Sequence, residues 1–109
     1  MAFDEGLAER IRERLSADPV ITEKRMFGGL AFLHRGNMAV GVIGDDLMVR
    51  VGPDGTDTAL ARPGARLFDF TGRPMRGWVV VAASALMEDT ELDAWIEEGH
   101  SFAAGLPPK

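Results

Sequence analysis

Between Val20 and Val51 the chain repeats one pattern four times, and this most constrains its fold. Short apolar runs, "VITEKRMF", "LAFLH", "MAVGVI" and "LMVRV", are separated by Gly28-Gly29, by "HRGN" at 34–37 and by "GDD" at 44–46. Period-two apolarity between closely spaced turn residues predicts β-strands. Connections this short cannot make the crossover that parallel strands need, so the four runs predict an antiparallel meander. The paired glycines then fall at the bend between the first two strands. One of them is expected at positive φ, where a residue without Cβ adds no strain.

The flanks read as helices and a further hairpin. Phe3, Leu7, Ile11 and Leu15 recur every four residues and predict a helix over 3–17, with Asp4 and Glu5 in its first turn and "ADP" at 17–19 ending it. "GPDGTDTALARPG" at 52–64 has room for a short helix only. Strands are predicted over 66–70 and 77–83, joined by "TGRPMR". A closing helix starts with Thr90 as cap and carries Leu92, Trp95, Ile96, Gly99, Phe102, Ala103 and Leu106 on one stripe. The whole is a two-layer α+β domain over residues 1–109, with an antiparallel sheet of about five to six strands and helices packed mainly on one face.

Both faces of that sheet are apolar. Ala31, Leu33, Ala39, Gly41, Ile43 and Met48 alternate with Leu30, Phe32, Met38, Val40, Val42 and Leu47. Two helices can cover one face, so the other needs a cover of its own, such as a second copy in a homodimer. Leu33, Ile43 and Met48, with Val79 and Val81, are the expected patch.

Composition narrows the class of function. The 109 residues include no cysteine, which excludes disulfides, thiolate metal sites and cysteine nucleophiles. No apolar run is long enough to span a bilayer, and "MAFDEGLAERIRERL" lacks a signal peptide's apolar stretch, so a cytoplasmic location is expected. The net charge is −5. Residues 87–109 hold six carboxylates against Lys109 alone, whereas 62–77 hold four arginines against Asp69. The plain reading is that these segments offset each other across the fold. Neither direct nucleic-acid binding nor membrane attachment is expected from this balance.

No catalytic constellation stands out. His34 and His100 lie far apart without ligand-spaced partners and read as surface residues; no metal site and no cofactor is expected. Ser16, Ser84 and Ser101 lack a nucleophile-elbow setting. Gly28-Gly29 is followed by a strand rather than a helix, which spoils a phosphate loop. Arg73 and Arg76 in "GRPMRG" could grip an anion, or be plain turn residues. Asp45-Asp46 fits turn chemistry, and Trp78 and Trp95 read first as packing residues.

Two segments carry a family resemblance. "KRMFGGLAFLHRGNMAVGVIGDDLMVRV" resembles the amino-terminal domain of the TfoX/Sxy family, with its M-F-G-G hairpin and meander. "FDFTGRPMRGWVVV" is similar to that family's later F-x-G-x-P-M-x-G-aromatic-V segment. The resemblance implies an α+β fold like that of secretion chaperones and a link to competence regulation through transcriptional co-activation. It implies no catalytic residues. Longer members carry a second, C-terminal domain, and this chain is expected to be a stand-alone domain. The motif positions are Met26, Phe27, Gly28, Gly29, Gly72, Pro74, Met75, Gly77 and Trp78, with Arg25, Arg73 and Arg76 beside them as possible binding residues.

Three readings of function follow. The first is a regulatory interaction domain that holds a protein partner. The second is a small-anion or metabolite sensor built on Arg73, Arg76 and the glycine turn. The third is an enzyme of unrecognised type.

Overall fold

The computed structural model describes residues 3–26, 28–70 and 73–108, with backbone alone at Phe70, Arg73 and Pro74. Helix α1 (Glu5–Leu15) leads into strands β1 (Ile21–Met26), β2 (Gly29–His34), β3 (Asn37–Ile43) and β4 (Asp46–Arg50). A short α2 (Thr56–Leu60), strands β5 (Ala65–Phe70) and β6 (Arg73–Val81), a 3-10 turn over Ala83–Ala85 and α3 (Asp89–Ala104) complete the chain. The six strands form one antiparallel sheet in the order β1-β2-β3-β4-β6-β5. The meander is thus as expected. Beyond it β6 returns to pair with β4, and β5 lies at the edge.

Alternation puts Leu30, Phe32, Val40, Val42, Leu47, Val49, Val79 and Val81 on the helix side of the sheet, all buried. Leu7, Ala8, Ile11 and Leu15 of α1 and Leu92, Trp95, Ile96 and Ala103 of α3 meet them in one core. Each buried valine, leucine or isoleucine contributes on the order of 1.5–3 kcal/mol. Gly99 lets α3 come down on β3: a Cβ there would stand 2.4 Å from the Ala39 carbonyl oxygen.

Several boundaries differ from the expectation for local reasons. Asp4 caps α1 by accepting from the N–H groups of Gly6 and Leu7, so Phe3 is outside the helix and bridges to Gly44 instead. Glu88, not Thr90, occupies the cap position of α3, and no side chain bonds there. Residues 73–76 belong to β6 rather than to a loop. Val79 and Val81 face the helices, and Val80 faces the other way. The proposed exposed patch was therefore one residue out of register on that strand, because period two reverses every side chain with a single slip.

Among the described residues the two charged segments pair with each other only through Arg62 and Glu98; Arg66 and Arg76 pair instead with Asp46 and Asp57, and the acidic start of α3 pairs with α1. Arg10 and Arg14 of α1 pair with Asp89, Arg14 also with Asp93, and Arg62 stacks on Trp95 while pairing with Glu98 at 2.6 Å.

Candidate functional site

The described helices lie on one face of the sheet; on the other the expected water-facing patch is largely closed, with Met48 1% exposed and Leu33 and Ile43 half-buried. Ala31, Met38, Met48, Phe68 and Val80 form a second, smaller apolar cluster there, with Met26, Leu33, Ile43 and Trp78 half-buried at its margin. Backbone irregularities shape this face into a hollow. Phe32 pairs with Val40 but Leu33 with Met38, so Ala39 is an extra residue in β3. That bulge turns Met38 to the same side as Gly41, whose missing side chain makes room for the Met38 methyl group. In β6 the pairing with β5 jumps from Val79 to Met75, and Gly77 takes a φ of 98°.

Thr56 anchors that bend. Its buried hydroxyl accepts from the Gly77 N–H at 2.9 Å and donates to the Gly52 carbonyl at 2.8 Å. The Gly77 carbonyl in turn accepts from the N–H groups of Val51 and Gly52. Bending β6 at this point brings Met75 and Trp78 to the rim of a concavity of about 370 Å³. Met26, Met38 and Met48 line its floor and wall, so four of the chain's six methionines gather at one site. Lys24 and Arg50 supply its charge. The Arg50 guanidinium lies 5.0 Å from the Trp78 ring and 5.5 Å from that of Phe102. Burial pushes its pKa down, and neither Arg50 nor Lys24 forms an ion pair among the described residues.

The expected site residues divide three ways. Met26, Met75 and Trp78 come together at the concavity, although the two motifs that hold them are some fifty residues apart. Gly28, Gly29 and Gly77 have backbone roles. Gly28 has φ 74° with open space around it, whereas a Cβ on Gly29 would stand 1.9 Å from the Val42 carbonyl oxygen. Arg25 points to the helix side, over the Phe3 ring. Arg76 is held by Asp57 through two 3.3 Å contacts, and neither it nor the glycine turn lines the concavity. Phe27 and Gly72 lie outside the described residues, as do the side chains of Arg73 and Pro74. Lys24, Met38, Arg50 and Phe68 were not singled out in sequence. Apolarity marks Met38 and Phe68 as strand positions, Met38 on the wrong face because of the bulge at Ala39, and nothing local marks Lys24 or Arg50.

One further cluster corrects the surface reading of the histidines. The His34 side chain is 12% exposed and that of His100 25%, with their rings T-shaped at 5.1 Å. His100 Nε2 lies 2.9 Å from Asp18 Oδ2, and His34 Nε2 is 3.6 Å from the same oxygen. The other oxygen, Oδ1, accepts from the Val20 N–H. These bonds hold the Asp18 carboxyl below the usual carboxylate range, with that from His100 dominant.

A family model described as the TfoX N-terminal domain matches residues 13–103. Neither curated proteins nor solved structures give a match.

Proposed function

Because the chain belongs to the TfoX N-terminal domain family, we propose that it is a non-enzymatic interaction domain whose sheet face away from the helices holds a segment of a partner protein. The observation that carries this reading is the methionine-lined concavity between Lys24 and Arg50. Methionine is flexible and polarisable and adapts to varied apolar side chains. A half-buried guanidinium without a carboxylate partner gains from a carboxylate brought to it in low dielectric. The occupant is therefore an amphipathic segment with apolar anchors and at least one acidic side chain.

Charge argues against a second copy in that place. A two-fold contact through the same patch would bring the Lys24 and Arg50 of one copy towards those of the other. Two cations unpaired among the described residues, on a chain of net charge −5, also make a poor phosphate footprint, which argues against nucleic acid. Co-regulation of competence through protein partners, in the cytoplasm, is the finer reading that goes with the family. An anion sensor at Arg76 has less support, since Asp57 already occupies that guanidinium.

Site-specific photo-crosslinking in the producing cell tests the proposal. A crosslinker at Leu33 should capture one protein, and the product should disappear with Arg50→Glu. A crosslinker at Ala94, on the exposed side of α3, should capture none of it. Equal capture from Ala94 rejects the site. Capture of the chain by itself, with light scattering at twice 11.8 kDa, replaces the partner with a homodimer.

A further inference from the structure

We propose that Asp18, His34 and His100 form a binding site for a divalent transition-metal ion of the zinc class. The three donors come from separate segments: the turn after α1, the end of β2 and the C-terminal half of α3. Their ligand atoms all lie within 4.8 Å of one another. Two imidazoles and one carboxylate are a donor set suited to zinc, iron(II) or nickel, whereas magnesium and calcium prefer oxygen.

Two of the three donor separations fit the chemistry. With metal–ligand bonds of about 2.0–2.1 Å, donors at the corners of a tetrahedron stand about 3.3 Å apart. The two Asp18 Oδ2 separations, 2.9 and 3.6 Å, fall on either side of that value. At 3.6 Å His34 Nε2 is too far from the oxygen for a hydrogen bond, and His34 makes no side-chain hydrogen bond to another described residue. A hydrogen-bonded clamp accounts for His100, whereas His34 has an edge contact with the His100 ring and a 3.6 Å approach to Asp18 Oδ2 without a hydrogen bond. A cation placed among the three donors engages both rings.

The carboxylate is already aimed. The Val20 N–H holds Oδ1, which fixes Oδ2 towards the rings, and the Val20 carbonyl accepts from the Arg35 N–H, which keeps the strand end bearing His34 beside that turn. Support of this kind, outside the ligands themselves, orients ligands before the metal arrives. Asp18 and His100 also line a groove of about 460 Å³ with Asp93 and Glu97, through which an ion can enter and a fourth ligand can bind. The site is on the helix side, away from the methionine concavity, so it stands or falls independently of the interaction proposal. Bound metal would fasten α3 to the α1–β1 turn and the β2–β3 hairpin.

The experiment is calorimetric titration of zinc chloride into the metal-stripped full chain carrying no affinity-tag histidines. One equivalent should bind, magnesium chloride should give no binding, and His34→Gln and His100→Gln should each weaken zinc by about tenfold or more. No saturable binding, or affinity kept within about twofold in both variants, overturns the proposal. Should a variant fail to fold, imidazole nitrogen NMR of the unmodified chain decides. Nε2 of His34 and His100 should shift together up to one equivalent of zinc, and unmoved nitrogens reject the site.

Discussion

Gly28 and Gly29 are adjacent and chemically identical, yet they answer to different constraints. Gly28 supplies a positive φ with nothing near its absent Cβ, and Gly29 supplies contact between backbones. Gly28→Ala should cost about 1–2 kcal/mol, the penalty of left-handed backbone for an L-residue. Gly29→Ala drives a methyl group into the Val42 carbonyl and should cost about 3 kcal/mol or more, since the obstacle is a sheet backbone and not a mobile side chain. Urea denaturation of the two variants checks the order, and equal losses would contradict it. Thr56 is the other single residue on which the site depends. Thr56→Val leaves the Gly77 N–H without its hydroxyl partner and should cost about 1–3 kcal/mol, while Thr56→Ser should be nearly neutral.

Between elements, ion pairs fasten the helices to the sheet and to each other. Arg12 of α1 bonds Glu23 of β1 through Nε at 2.7 Å and a terminal nitrogen at 2.8 Å. These bonds hold the Glu23 carboxyl below its ordinary value near 4.5. A depressed folded value means that the pair stabilises above the unfolded value, and that this contribution is lost as pH falls through the folded one. Glu23→Gln should therefore be less stable than the parent at neutral pH. The difference should close as pH drops below about 4.5, which denaturation curves at stepped pH would show. The pair is partly exposed, so its effect is small and should shrink further in salt.

For the molecule as a whole, the two faces of the sheet have opposite fates. Trp95 is 1% exposed in the core under the helices, whereas Trp78 is half-buried on the face away from the helices, beneath Arg50. An aqueous quencher should therefore reach Trp78 far more readily, and Trp78→Phe should remove most of the quenchable emission. A partner seated in the concavity should protect Trp78 and leave Trp95 unchanged. Protection of neither tryptophan on binding would place the partner elsewhere.

Local chemistry determined the order of the elements. Period-two runs with turns at 28–29, 34–37 and 44–46 leave an antiparallel meander as the economical solution, and helical three- and four-residue spacing fixes the inner stripes of α1 and α3. Even the two-faced apolarity was legible, because strand alternation is a local property. Tertiary structure decided what depends on distance along the chain. Nothing near Val80 states whether it or Val79 faces the helices; pairing with β4 settles that. The bulge at Ala39 and the bend at Gly77 exist through cross-strand register and the Thr56 anchor, and they create the methionine concavity. Asp18, His34 and His100 have no local pattern at all. They meet because the turn after α1, the end of β2 and the end of α3 reach the same corner of the sheet, where burial brings together side chains that the sequence holds apart.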